Sequence, residues 1–242
     1  MKYIFANFKM NMGLKQTEQY IKEVLPRISK TKHNVVLFPT FINLGNLKKE
    51  LKKYNVEFGA QNITHSENGM LTGEISALML KELGVTFVLI GHSSRRQYLS
   101  EKNGILNKKI LNALNHNLNV VLCVGESLKD RQTGTFKEKV KKQLLDCLKN
   151  VDKKYEQNVF IAYEPVWAIG ENIELNIYEI EESLGFVKEC LKELNLHNAK
   201  TIYGGNVNEQ NSKQILNCLN VDGVLVGRAC LDGDKFEKIC LD

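Results

Sequence analysis

Apolar and polar positions alternate along this chain in two registers. Short runs rich in Val, Ile, Leu and Phe read as strands at Tyr3–Ala6, Val35–Phe38, Glu57–Ala60, Phe87–Ile90, Val120–Val124, Val159–Tyr163, Thr201–Tyr203 and Val224–Val226. Between them apolar residues recur at helical spacing over Gln16–Ile28, Leu44–Lys53, Ala77–Leu83, Lys108–Asn115, Thr135–Lys149, Tyr178–Glu193, Glu209–Cys218 and Lys235–Ile239. Strand and helix in strict alternation predict a parallel sheet covered by helices, and the unbroken apolar character of the fourth, fifth and eighth runs predicts strands buried on both faces. No Pro-, Gly- or Ser-rich linker divides the chain. The pattern therefore predicts one α/β domain over residues 1–242, a closed (β/α)8 barrel of eight parallel strands. A doubly wound open sheet is the alternative, but it ordinarily carries Gly-x-Gly-x-x-Gly after the first strand. Here that turn reads Asn7-Phe8-Lys9-Met10-Asn11.

Composition narrows the class. With 43% hydrophobic and 25% charged residues over 242 positions, disorder is excluded as the main state. Thirty-three Lys and Arg against 28 Asp and Glu leave a formal charge of +5, spread along amphipathic segments such as Lys137 to Lys142. That is a mild bias toward anionic ligands and not a nucleic-acid signature. Apolar stretches such as Val85 to Ile90 fall far short of the roughly eighteen residues a membrane helix needs, and Met1-Lys2-Tyr3 leads straight into a strand, so a cytoplasmic protein is expected. Six cysteines (Cys123, Cys147, Cys190, Cys218, Cys230, Cys240) show no Cys-x-x-Cys pair and no histidine at ligand spacing. Reduced core thiols are expected, with no metal site and no disulfide framework.

In a barrel of this kind chemistry is carried on the loops after the strands. Those positions hold Asn7 and Lys9, His92, Glu126 and Glu164; the seventh run ends in Gly204-Gly205-Asn206 and the eighth in Gly227-Arg228. Singly, a lysine, histidine or glutamate at a strand end is ordinarily solvated or structurally paired. Together they place a cation, an imidazole and a carboxylate on one face beside glycine loops whose amides can hold an anion, the outfit of an enzyme acting on a small phosphorylated carbonyl compound.

The stretches Asn7-Phe8-Lys9-Met10-Asn11, Gly91-His92-Ser93, Tyr163-Glu164-Pro165-Val166-Trp167-Ala168-Ile169-Gly170 and Tyr203-Gly204-Gly205 are similar, in order and spacing, to the signatures of the triosephosphate isomerase family. Gln61-Asn62, Thr72-Gly73-Glu74, Arg95-Arg96, Cys123-Val124-Gly125-Glu126 and Leu225-Val226-Gly227 support the resemblance, which spans residues 3 to 231. It implies interconversion of dihydroxyacetone phosphate and D-glyceraldehyde 3-phosphate through an enediolate, in glycolysis and gluconeogenesis, with no cofactor and no metal. Glu164 would be the base, His92 the neutral acid that polarises the carbonyl and shuttles protons, and Lys9 a fixed positive charge, with Asn7 orienting substrate and lysine. Ser93-Ser94-Arg95-Arg96 suits a short helix whose N-terminus disfavours a charged His92 ring. The phosphate would rest on backbone amides at Gly170, Asn206, Gly227 and Arg228. Pro165, Val166, Trp167, Ala168, Ile169 and Gly170 would begin a lid reaching Asn176, with Trp167 at its hinge and Tyr203 helping to hold it shut.

Departures from the family pattern predict changes of degree. Ser94 stands where glutamate is usual, removing a carboxylate near Lys9 and predicting a moderate loss of rate. Glu171-Asn172-Ile173-Glu174-Leu175 replaces Thr-Gly-Lys-Thr-Ala, predicting altered lid kinetics and a raised KM. Asn206 replaces serine, and Arg228 replaces a second glycine; the arginine either offsets charge at the phosphate or points to solvent.

The long loop from Asn62 to Gly73 carries Met70-Leu71, and by resemblance it inserts into a second subunit near Lys9 and Asn11, giving a homodimer in which Thr72 and Glu74 meet the neighbour's first loop. Two competing readings are another phosphate-binding barrel enzyme, and a non-catalytic or weakly active barrel dimer that binds sugar phosphates.

Overall fold

The computed structural model describes residues 1–242 apart from 52, 170–172 and 174. Eight strands, β1 (Tyr3–Asn7), β2 (Asn34–Phe38), β3 (Glu57–Ala60), β4 (Phe87–Ile90), β5 (Asn119–Val124), β6 (Val159–Tyr163), β7 (Lys200–Tyr203) and β8 (Gly223–Val226), pair in parallel with their sequence neighbours. β1 then pairs with β8, Tyr3 opposite Gly223, and closes the barrel. Every strand falls within a residue of the run expected from the apolar pattern.

Around the barrel run α1 (Leu14–Ile28), α2 (Phe41–Leu51), α3 (Ala77–Leu83), α4 (Ser93–Tyr98), α5 (Asn103–Asn115), α6 (Leu128–Gln132), α7 (Phe136–Cys147), α8 (Ile177–Glu193), α9 (Ser212–Leu216) and α10 (Gly233–Leu241). α2 begins three residues before the expected Leu44, and α5, α9 and α6 also depart from the helices read from periodicity. α5 begins at Asn103 and not at Lys108: Asn103 bonds Asp146 and Asn107 bonds the Cys147 and Lys149 carbonyls, so polar residues there serve tertiary contacts that periodicity does not register. α9 is confined to Ser212–Leu216, because the Asn208 side chain accepts from the Gln210 and Asn211 N–H groups and makes a turn of the stretch before it. α6 is too short for a period; Ser127 and Asp130 hold it by a reciprocal capping box.

The core has two shells, and the alternation of side chains along each strand sorts residues between them. Ile4, Ala6, Val88, Ile90 and Leu122 pack outward under the helices, while Phe5, Phe38, Phe87, Leu89, Phe160 and Ile202 fill the barrel. Tyr3 and Phe160 meet edge to face at 4.8 Å, and Phe87 and Phe160 at 5.3 Å, so the interior is a packed aromatic core and not a channel. Burying each phenylalanine contributes about 1.5–3 kcal/mol. The same parity carries function. Asn7 continues the inward series of Tyr3 and Phe5, and Glu164 that of Phe160 and Ala162, which sets both at the mouth of the barrel on top of this plug. The chain ends meet on one side, where α10 packs against α1 and the Tyr20 hydroxyl donates to the Cys230 carbonyl at 2.7 Å.

Candidate active site

A cavity of about 1090 Å³ opens at the C-terminal ends of the strands, and Asn7, Lys9, His92, Glu164, Asn206, Gly227 and Arg228 all line it. Of the site residues read from sequence, Gly170 lies outside the described residues, as do Glu171, Asn172 and Glu174 of the altered lid.

Lys9 sits in the loop after β1 with φ 51°, a left-handed conformation that costs a side-chain-bearing residue free energy. Its surroundings hold it there. The Asn7 side-chain oxygen accepts the Lys9 N–H at 2.9 Å, and the Gln61 amide donates to the Lys9 and Phe38 carbonyls, each at 2.9 Å. Lys9 then lies over Gly227, where a Cβ would stand 3.5 Å from Lys9 Cε. Gln61, just past β3, is a positioning residue, and its place directly after a strand is the sequence signal that marks it.

His92 ends the turn after β4 and caps α4 with its own ring. Nδ1 accepts the Ser94 N–H at 3.2 Å and lies 2.8 Å from Ser94 Oγ. An N–H aimed at Nδ1 requires the lone pair there, so the ring proton sits on Nε2. The short helix expected after His92 is present, but burial is the largest cause holding the His92 pKa below the ordinary histidine value; Glu164 opposes it, and Lys9 and Arg95 add to it. The ring is neutral at pH 7.

Glu164 is 2% exposed at the end of β6. Its Oε2 accepts the Ser93 N–H at 2.8 Å, while Oε1 lies 3.3 Å from His92 Nε2 and makes no hydrogen bond among the described residues. One carboxylate oxygen is thus held and the other is available to accept a proton beside the imidazole. Cys123, one strand away, is fully buried, and burial first, then Glu164, raise its thiol well above the ordinary range. It is packing and not a nucleophile.

Directly after Glu164 the chain turns through Pro165, Val166, Trp167, Ala168 and Ile169, of which Ile169 reaches the cavity. Trp167 Nε1 donates to Glu126 Oε1 at 3.0 Å, the Tyr163 hydroxyl donates to the same oxygen at 2.9 Å, and the Val166 N–H donates to the Glu126 carbonyl at 3.2 Å. By sequence position Glu126 stands at a strand end with no evident role. It moors the start of the segment, and a capping box between Asn176 and Glu179 anchors the far end at α8. Tyr203 is buried in the outer shell beside Gly205. Arg228 is exposed and lines the cavity, as do Lys235 and Asp232. Among the described residues, no cluster of three or more His, Cys, Asp or Glu is arranged for a metal, and no helix is long and apolar enough to cross a membrane.

A neutral ring N–H, an acceptor carboxylate oxygen and an ammonium around one cavity can move a proton between adjacent carbons of a carbonyl compound. Comparison with known proteins points to the same chemistry. The profile of the family described as triosephosphate isomerase matches residues 2–242. The triosephosphate isomerase of Thermoanaerobacter pseudethanolicus is 38% identical over 240 residues, covering 98% of this chain and 97% of the relative. That of Flavobacterium psychrophilum is 38% identical over 243 residues, with the same coverage. The crystal structure of triosephosphate isomerase from Bartonella henselae superposes with a TM-score of 0.89 at 29% identity, covering 99% of this chain and 97% of the other.

Proposed function

Because the chain belongs to the triosephosphate isomerase family, it interconverts dihydroxyacetone phosphate and D-glyceraldehyde 3-phosphate, and we propose that Glu164 and His92 carry the protons while Lys9 supplies a fixed positive charge. Glu164 Oε1 takes a proton from the carbon beside the carbonyl; the C–H electron pair becomes the C=C bond of the enediolate, and charge gathers on the carbonyl oxygen. The His92 Nε2–H donates to that oxygen, and the Lys9 ammonium holds it electrostatically, both worth most in the transition state, when the charge is greatest. The proton returns to the neighbouring carbon from Glu164, while His92 moves a proton between the two oxygens. Backbone amides of Asn206, Gly227 and Arg228, which line the cavity, take the phosphate, and the segment that begins at Pro165 keeps water from the enediolate. Asn7 keeps Lys9 in place.

The observation that carries this reading is His92 Nε2 at 3.3 Å from Glu164 Oε1 in a cavity that Lys9 also lines. Its test is an isomerase assay of wild type, E164Q, H92Q and K9M under one set of conditions. Each variant should lose at least about 100-fold in kcat/KM, the ordinary worth of a positioned acid, base or charge. A variant within threefold of wild type removes its residue from the mechanism.

The protein is also read as a single domain, a homodimer and a cytoplasmic enzyme. The packing of α10 on α1 supports the first. Met10, Phe41, Ile42, Met70, Leu71 and Tyr98 are large apolar residues exposed after β1, β2, β3 and β4, four adjacent strands, which supports a partner on that side. Six free, buried cysteines suit a reducing compartment. Sedimentation of wild type beside M70D tests the dimer: the wild type should sediment as twice the chain mass and the variant as a monomer, and a monomeric wild type refutes it.

A further inference from the structure

His92 Nδ1 faces two donors, and both belong to Ser94: the backbone N–H at 3.2 Å and the hydroxyl Oγ at 2.8 Å. The N–H reserves the Nδ1 lone pair, so the hydroxyl, free by its chemistry to donate or accept, must donate. A carboxylate at this position would be ionised at neutral pH and have no side-chain proton to give. The second donor therefore exists because position 94 is a serine.

We propose that Ser94 is a positioning residue for the isomerase reaction, its hydroxyl reinforcing its N–H to pin His92 as the Nε2–H tautomer and to stabilise the ring while Nε2 gives up its proton. The inference rests on His92 carrying protons between the oxygens. In that step the proton leaves Nε2 for an enediolate oxygen, the N–H electron pair stays on the ring, and a proton returns to Nε2 from the neighbouring hydroxyl. The ring is transiently richer in electrons, and donors at Nδ1 bind it more tightly than they bind the neutral ring. Their gain thus falls on the transition state. The same donors oppose protonation at Nδ1, which would set N–H against N–H. Of the charged groups around the ring, Glu164 from the end of β6 favours a cation, whereas Lys9 from the β1 loop and Arg95 in α4 oppose one. Ser94 acts in the direction of the latter pair without adding charge.

The test compares wild type, S94A, S94T and H92Q. One hydrogen bond lost from the transition state predicts a fall in kcat of about three- to tenfold in S94A with KM within about twofold. The acid limb of its kcat/KM profile should move up toward the ordinary histidine range, and S94T, which keeps a hydroxyl, should restore both. A profile and kcat in S94A superimposable on wild type, or an S94T as impaired as S94A, would overturn the proposal. The imidazole nitrogens of ¹⁵N-histidine-labelled wild type give a measurement that needs no variant to fold: a neutral ring protonated on Nε2 is expected at pH 7, and an Nδ1–H tautomer or a charged ring there contradicts it. H92Q separates the two levels. If H92Q keeps wild-type kcat the reading of His92 itself fails; if H92Q is impaired while S94A is not, the role of Ser94 alone fails.

Discussion

Gly125, just after β5, stands against the backbone of the proposed base, and G125A should disable the enzyme through geometry alone. A Cβ built there would lie 1.7 Å from the Glu164 carbonyl oxygen and 2.7 Å from its carbon. Ordinary C···O contacts fall near 3.3 Å, so relief needs roughly 1.5 Å of separation. Neither side yields freely. Gly125 is clamped by Gln143, which accepts its N–H at 2.8 Å and donates to its carbonyl at 2.9 Å. Glu164 is tied to β5 by its N–H to the Val124 carbonyl at 2.7 Å. If the shift is shared, Glu164 moves by roughly 1 Å, a misplacement that costs about 100-fold in rate. Overpacking of this kind costs about 1–3 kcal/mol, or roughly 2–12 °C in melting temperature for a chain of this size. The assay is steady-state isomerase kinetics with thermal unfolding on G125A, G204A and G104A. At Gly204 a Cβ would meet Glu164 Cγ at 3.1 Å, a side-chain atom able to give, so about a three- to tenfold loss is expected. Gly104 in α5 has nothing within 4 Å, so alanine there should raise stability by up to about 1 kcal/mol and leave kinetics unchanged. A G125A enzyme within threefold of wild type and with unchanged melting would refute the reasoning.

Three further outcomes follow from buried polar groups. E126L strands the Tyr163 hydroxyl and the Trp167 N–H without their acceptor, so urea denaturation should show a loss of about 2–4 kcal/mol, with E126Q losing less; a loss below about 1 kcal/mol contradicts the mooring role. Lys109, buried, donates to Glu101 at 2.6 Å and to Asn62 at 2.8 Å, while Arg95 shares the same carboxylate. K109M should cost about 3–5 kcal/mol, and a neutral result would show that the carboxylate is satisfied by Arg95 alone. His33 is buried, its Nδ1 accepts the Lys2 N–H at 3.0 Å, and burial, with Lys32, the chain's amino terminus and Lys2 adding and Asp242 opposing, holds its pKa below the ordinary value. The unfolded chain takes up this proton near pH 6.5 while the folded one resists it. His33 therefore contributes stability that is complete above about pH 6.5 and is lost as pH falls through its folded value. Urea midpoints measured from pH 8 to pH 5 should decline less steeply in H33N, and parallel declines would exclude the group.

The strands were legible because each is a short apolar run between polar helices, and burial on both faces leaves that run few alternatives. That Lys9, His92 and Glu164 would meet at one cavity was legible for a related reason: in a parallel barrel the position just past a strand lies at the same rim as every other such position. Less was legible wherever a residue acts through partners distant in sequence. α5 starts early because Asn103 and Asn107 find acceptors on and just past α7. Glu126 became a mooring only when Tyr163 and Trp167 arrived at one of its oxygens.

The chain by itself determined the alternation, the closure it demands and the kinds of group presented at the rim, since these follow from periodicity along a single strand or helix. Tertiary structure decided which ring nitrogen carries the proton, which oxygen of Glu164 is held, and how a lysine is kept in a left-handed conformation. Those depend on distances between elements, and a hydrogen bond changes from present to absent within an ångström, a resolution no one-dimensional pattern contains.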